Sequence, residues 1–243
     1  MIKEWRKLTT KEHEMIDKEK SVVILPIASC EQHGAHLSVA TDQLVLELFT
    51  KSLLEMQPET EKDFYILPPM LFGDSNEHMG FSGTITLRPQ TLMLFVEDIA
   101  SSLCADGYKK VLIMNSHGGN TGLLDAIGQK INLDYGVEMY TANLLGMMSG
   151  CSTQQGVEDM DESVEIHAGD IETSVLLYAF PESVKMQFAQ DSPVHIPIYN
   201  NSWVTKKIST SGVLGLPTKA TADKGRIIFN YAMQKLILLM KSL

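Results

Sequence analysis

The chain has 243 residues, 44% hydrophobic and 21% charged, an ordinary globular composition that argues against disorder. This length suits one α/β domain over residues 1–243 and is short for two independent ones. A net charge of −10 and a pI near 5.1 argue against a nucleic-acid partner, which leans on clustered Lys and Arg, and leave a small-molecule substrate as the expectation.

Cys30, Cys104 and Cys151 are too few and too scattered for a disulfide framework, and none makes a C-x-x-C zinc pair. They read as buried small hydrophobes in a reducing compartment. Cys30 lacks the thiolate-stabilising surroundings of a nucleophile. The charged Met1–Lys7 stretch is followed by no signal-like apolar segment, and no run approaches the ~18 apolar residues of a membrane span. The expectation is a cytoplasmic protein with no membrane partner.

In chain order, Thr10 caps a short helix to about Lys18, with His13 solvated among charges. Ser21–Ile27 is apolar throughout and is predicted to be a central strand. Glu31-Gln32-His33-Gly34-Ala35-His36 follows, with Asp42 beyond. Carboxylates and imidazoles crowded behind a buried strand are hard to explain by packing, because such groups are rarely buried without a partner; a cation is a common one. Leu44, Val45, Leu48, Phe49 and Leu53 recur at helical spacing over Asp42–Met56. Asp42 therefore has two readings, a helix-terminal cap or a ligand.

Phe64–Pro68 reads as a second strand, and Gly73–Thr84 as a functional loop in which Glu77 and His78 either face a substrate or satisfy loop backbone. Ile85–Leu87 is expected to be a short edge strand, and Pro89 to open a helix reaching Ala105. Lys109–Asn115 is the third strand. Ser116-His117-Gly118-Gly119-Asn120 then forms a strand–turn–helix junction of the kind where open α/β sheets bind ligands. Its glycines allow close backbone approach and the helix N-terminus offers N–H donors, while no phosphate-loop pattern is present. His117 is read as a ligand, and Gly118, Gly119 and Asn120 as substrate-facing or supporting residues.

After a helix to Ile131, Val137–Asn143 is a fourth strand and Gly146–Gly156 a candidate lid, in which Met147 and Met148 either line a pocket or pack. Glu158–Glu162 reads as a solvated acidic run. His167 on a loop and Glu172 in a helix's first turn can reach one site, although Glu172 also reads as an ordinary first-turn charge. That helix carries Val175–Phe180. His195 reads as loop surface, Gly212–Pro217 as a turn, and Ile227, Ile228, Tyr231, Leu236 and Leu239 as one face of a terminal helix.

Glu31, His33, Asp42, His117 and Glu172 supply three carboxylates and two imidazoles, which suits Zn²⁺, Mn²⁺ or Fe²⁺ and excludes a thiolate site. Five ligands exceed what one catalytic zinc needs, and a bridging carboxylate such as Asp42 can hold two ions ~3.5–4 Å apart. The implied chemistry is attack of an activated water on an amide carbonyl, with His167 or His36 passing a proton to the leaving nitrogen.

The run Glu31-Gln32-His33-Gly34-x-His36-Leu37 with Thr41-Asp42 resembles the signature of the creatininase (creatinine amidohydrolase) family. So do Phe81-x-Gly83-Thr84, Asn115-x-His117-Gly118-Gly119-Asn120, His167-Ala168-Gly169-x-x-Glu172-Thr173-Ser174, Gly212-Val213-x-Gly215-x-Pro217 and Ala220-Thr221-Ala222-x-Lys224-Gly225, all in the family's order. The resemblance implies a three-layer α/β/α fold with a mostly parallel central sheet, two divalent ions (Zn, Mn or Fe), hydrolysis of cyclic or other amides, and homo-oligomers that are often hexameric. It places Glu31, His33, Asp42, His117 and Glu172 on metal positions, Asp42 as the bridge. His167, with Glu172, falls on the catalytic positions, and His36 is left in a supporting role.

Two departures bear on substrate. Creatininase proper has a tyrosine and a metal-binding glutamate where this chain has Gly118 and Gly119, and a tryptophan just before the position of His167, where Val164 and Glu165 stand here. The Gly-Gly version is more similar to the family's formamide-hydrolase and mycofactocin-peptidase branches, and Glu172 is the candidate to complete the metal site that Gly119 cannot. Two other classes remain beside the amidohydrolase: a metal-dependent aldolase or isomerase acting on a polyol, and a non-catalytic binding protein with a relict site.

Overall fold

A computed structural model describes residues 1–194 and 202–243, so His195 lies outside the described residues. The strands β1 (Ile2–Glu4), β2 (Ser21–Ile27), β3 (Asp63–Ile66), β4 (Lys110–Asn115) and β5 (Glu138–Asn143) form one sheet in the order β1-β3-β2-β4-β5. Every pairing is parallel; Ile24, for example, lies opposite Ile66 on one side and Leu112 on the other. All seven residues of β2 are buried, as its unbroken apolar run requires of a central parallel strand.

Alternation along β2 divides the core into two layers. Val22 and Ile24 face the cluster built on α2 (Thr41–Met56), α6 (Asp170–Ala179) and α8 (Ala222–Ser242). Val23, Leu25 and Ile27 face α3 (Pro89–Ala105) and α4 (Thr121–Tyr135) on the other side. This is the three-layer α/β/α arrangement. Helices α6 and α8 cross closely because residue 225 is glycine: a Cβ there would collide with the Ser174 carbonyl oxygen and stand 2.9 Å from the Val175 nitrogen.

From β2 the chain goes outward to β3 through α2, then returns across β2 to β4 through α3. The boundary between β2 and β4 is thus a topological switch point, where loops leaving the two carboxyl ends diverge and open a crevice. Glu31–His36 leaves one of these ends and His117–Asn120 the other.

Local differences from the sequence reading have local causes. The first helix, α1 (Thr10–Glu14), is a single short element capped by Thr9 in a reciprocal capping box with Glu12. A separate 3-10 turn at Lys18–Lys20 follows, so the helix does not reach Lys18. Ile85–Leu87 is no strand; Ile85 makes one isolated bridge to Cys30. Strand β1 is too short to show a period. The expected lid, Gly146–Gly156, begins inside α5 (Leu144–Met148), and Met148 and Cys151 are core residues. The acidic run Glu158–Glu162 is only partly solvated: Met160 and the preceding Val157 are buried, and Asp159 pairs with Lys224. Helix α7 (Thr205–Ile208) is one turn that packs near the 76–78 loop.

Candidate metal centre

Asp42 sits in the first turn of α2 but caps nothing: the N-cap position is Ala40, which makes no side-chain cap. The Asp42 side chain is instead buried against the end of β2, where its Oδ2 accepts the Ser29 hydroxyl at 2.5 Å. Asp42 Oδ1 lies 3.5 Å from His33 Nε2, and Oδ2 lies 3.4 Å from His117 Nδ1. One carboxylate from α2 therefore stands between two histidines from different loops.

The remaining nitrogen of each histidine is tied to backbone. His33 Nδ1 donates to the Glu31 carbonyl at 3.2 Å, and His117 Nε2 to the Asp74 carbonyl at 2.8 Å. Each bond places a proton on the outer nitrogen and turns the other toward Asp42. Glu172, in the first turn of α6, holds Oε2 on the Ala168 N–H at 2.6 Å and aims Oε1 at His33 Nε2, 3.7 Å away. Ala168 adopts φ +53, a left-handed conformation unusual for a non-glycine residue, where His167 gives way to the helix. Glu31 Oε2 lies 3.3 Å from His117 Nε2.

Two ligand sets follow, Glu31–Asp42–His117 and His33–Asp42–Glu172, each with one donor atom per residue inside a 4.8 Å span. Asp42 belongs to both. Further sets join Glu31 with His33 and His167, and Glu31 with Glu77 and His78.

The electrostatics are those of a cluster lacking positive charge. Burial works against charging His117, yet Glu31, Asp42 and Glu77 push its pKa up to about 10. Burial likewise opposes charging His33, but Asp42 and Glu172 raise it well above the ordinary value. Glu172 overcomes its own burial through His33 and falls to about 2, and Glu31 is carried well below the usual range by His117, His78 and His167. Burial and Glu31 raise Asp42. Both oxygens of Glu31 and Nε2 of His33 are buried without a hydrogen-bond partner. A buried carboxylate left unpaired is costly, so the donor set fits divalent cations, and protons on His33 and His117 stand in for them.

His78 and His167 behave oppositely. Burial comes first in both, lowering His78 to about 4 and His167 well below its ordinary value, so both rings are neutral near pH 7. They stack at 4.0 Å between centroids beside the ligand cluster. In the Gly73–Thr84 loop, Glu77 and His78 both line a cavity of about 420 Å³ with Glu31, Asp42, His117 and Glu172. Gly118, Gly119, Leu145, Ile166, His167 and Trp203 complete its wall. A separate groove of about 520 Å³ beside α2 contains none of these histidines.

His36 and Asn120 stay outside the cavity wall. His36 Nε2 pairs with the Thr173 hydroxyl at 2.9 Å, next to Glu172. Asn120 accepts the Asp74 N–H at 2.9 Å and donates to Asn115 Oδ1 at 3.1 Å, stitching the Asp74 loop to the end of β4. Sequence reasoning passed over Gln32, which sits inside the motif, and over Leu145, Ile166, Trp203 and Thr205. The last four lie on segments without periodicity, and nothing in their local sequence marks them.

The creatininase (creatinine amidohydrolase) family model matches residues 6–240. The chain belongs to this family. It is 32% identical over 221 residues to a mycofactocin precursor peptide peptidase of Mycobacterium tuberculosis, covering 85% of this chain and 79% of that protein. Two solved creatininases, one described with manganese and one of a zinc–zinc type, each share the fold at TM-score 0.81 and 22% identity, over 98% of this chain and 97% of theirs. The chain is thus a creatininase-family hydrolase carrying a cluster of residues able to hold metal.

Within the family frame, both departures acquire a structural counterpart. A Cβ at Gly119 would lie 2.5 Å from His117 Nε2 and 2.6 Å from the Asp74 carbonyl oxygen, and closer still to Glu77 Oε1. The carboxylate beside residue 119 is therefore that of Glu77, 3.5 Å from His117 Nε2. Glu172 lies with His33 and Asp42, in the second ligand set. An indole, absent before His167, reaches the cavity from Trp203, edge-on to His78 at 6.1 Å.

Proposed function

We propose that this chain is a binuclear metal amidohydrolase that cleaves a C–N amide bond, with Asp42 as the bridging ligand. The observation that carries the reading is the placement of the two Asp42 oxygens, one toward His33 Nε2 and one toward His117 Nδ1. Glu31 with His117, and Glu172 with His33, would hold the two ions. Divalent ions at such a centre lower the pKa of water and offset the negative charge that develops on an attacked carbonyl oxygen.

The chain's own residues supply the proton transfers. His167 Nε2 is committed to the Gln32 backbone carbonyl at 2.8 Å, so its free lone pair is on Nδ1, 3.7 Å from Glu31 Oε1 and facing the cluster. His167 Nδ1 takes the proton of the attacking water and returns it to the leaving nitrogen as the C–N bond breaks. Leu145, Ile166 and Trp203 give the cavity an apolar side that holds the group flanking the amide. Cyclic amides and formamides are the first substrate class. A short peptide is a specific second reading, supported by the similarity to a peptide peptidase and by a cavity larger than a formamide needs.

The test is a hydrolysis screen of creatinine, lactams, N-formyl compounds and dipeptides with Zn²⁺, Mn²⁺ or Fe²⁺, beside metal analysis of the purified protein. Two equivalents of metal, hydrolysis of one class, and a ~10²–10⁴-fold loss of kcat in His167→Ala with metal retained are expected. Less than one equivalent, or a His33→Ala variant as active as the parent, would overturn the proposal.

A further inference from the structure

Gln32 lies between the His78 and His167 rings, and its amide can be oriented without reference to either. Its Oε1 accepts the Gly34 N–H at 2.9 Å and its Nε2 donates to the Gly212 carbonyl at 3.0 Å. Turning the amide over would set oxygen against oxygen at Gly212 and N–H against N–H at Gly34. The remaining Nε2 hydrogen has two candidate acceptors, His78 Nδ1 and His167 Nε2, each 3.0 Å away.

The choice between them is settled by the main chain of the same residue. His167 Nε2 lies 2.8 Å from the Gln32 carbonyl, which can only accept, so that nitrogen carries the proton and cannot receive another. The amide hydrogen therefore goes to His78 Nδ1, where the Thr205 hydroxyl also approaches at 2.8 Å. With Nδ1 an acceptor, the His78 proton is on Nε2, 3.3 Å from Glu31 Oε1. Gln32 is 4% exposed, and its own N–H is held by the Thr84 hydroxyl at 3.0 Å, so the whole residue is fixed.

We infer that Gln32 is a positioning residue that sets two histidines in opposite roles, its side chain turning the His78 N–H toward Glu31 and its carbonyl turning the His167 Nδ1 lone pair toward the ligand cluster. The consequence extends to the ligand. With that tautomer the His78 N–H faces Glu31 Oε1 across 3.3 Å, while Oε2 faces His117 Nε2 across 3.3 Å. The role of His167 rests on the amidohydrolase reading; the tautomers do not.

Long-range ¹H–¹⁵N correlation spectra of ¹⁵N-histidine-labelled, zinc-loaded full-length protein test this directly, because they report which ring nitrogen bears the proton. Both His78 and His167 are expected to be protonated at Nε2. In Gln32→Glu the new carboxylate oxygen attracts a proton, so His78 should move to the Nδ1–H form while His167 stays unchanged. Zinc stoichiometry should persist, kcat should fall at least tenfold, and Gln32→Ala should fall less, since it removes the donor without adding an acceptor. A parent spectrum with His78 protonated at Nδ1, or with His167 protonated at Nδ1, overturns the inference even if no variant folds. Unchanged His78 in a folded Gln32→Glu overturns it as well. Absence of zinc binding by the parent protein would sink the metal reading separately, and the tautomers remain measurable.

Discussion

Gly118 and Gly119 form a matched pair for testing how tightly the centre is built. Neither has a positive φ, so alanine meets no backbone strain at either position, and any difference is steric. At Gly118 the atom nearest to an added methyl is Leu145 Cδ1, 4.0 Å away. At Gly119 the methyl would stand 2.5 Å from His117 Nε2 and 2.6 Å from the Asp74 carbonyl, about 0.8–0.9 Å inside the 3.4 Å where ordinary contact begins. Glu77 can swing toward the cavity mouth, because its side chain is 19% exposed. The other two cannot give way so easily. The Asp74 oxygen is backbone, and His117 is buried with its N–H held by Asn115 Oδ1 at 3.2 Å.

Relief must therefore come from the His117 ring or the turn that carries it. Overpacking of this kind costs about 1–3 kcal/mol. Disturbing the partner that orients a ligating histidine typically lowers metal affinity about 10–100-fold. Zinc titration calorimetry with thermal melts of the metal-free proteins would show Gly119→Ala losing affinity for one ion while Gly118→Ala matches the parent. Equal behaviour of the two variants, in either direction, would refute the steric reasoning.

Three further outcomes follow from the same geometry. Asp42→Asn weakens the one group shared by both ligand sets, so metal analysis should find at most one ion per chain where the parent holds two. Because His33 and His117 are raised above their ordinary pKa in the metal-free protein, both are protonated at pH 7 and must deprotonate to bind. Metal affinity should thus climb with pH below those pKa values, and calorimetry in buffers of different ionisation heat should register about two protons released as both ions bind; release of none would contradict the site. Gly225→Ala drives a methyl into the Ser174 carbonyl across the α6–α8 crossing, at a cost of about 3 kcal/mol, read as a Tm lower by about 6–12 °C.

Strong local patterns were legible in the sequence, and geometry between distant segments was not. The unbroken apolar run of β2 announced a central strand, and the crowding of Glu31, His33 and Asp42 behind it announced a site, since packing gives no reason to bury those groups together. Helices α2, α3 and α8 carried enough turns for their apolar period to show, whereas β1 and α5 did not. The first turn of α6 was legible, with Glu172 in it, but its burial was not, because Asp170, Glu172, Thr173 and Ser174 are polar yet buried, which breaks the usual link between polarity and exposure. Glu77 could be flagged as a loop carboxylate. That it fills the space beside Gly119 depends on two loops separated by some forty residues meeting at the sheet edge.

The placement of the histidines on loops has a reason of its own. His33, His117 and His167 each donate from one ring nitrogen to a backbone carbonyl, of Glu31, Asp74 and Gln32 respectively. Inside a helix those carbonyls would be consumed by the i to i+4 ladder, and within a strand by the neighbouring ladder. A loop just beyond a strand's carboxyl end leaves them free, and burial obliges them to find a donor. The imidazole N–H satisfies that demand, and in doing so fixes which nitrogen faces the centre. Gln32 shows the economy most clearly, because its carbonyl orients His167 while its side chain, held between Gly34 and Gly212, orients His78. The glutamate–x–histidine spacing of the motif thus supplies ligands and, through the main chain and the intervening residue, the acceptors and donors that aim them.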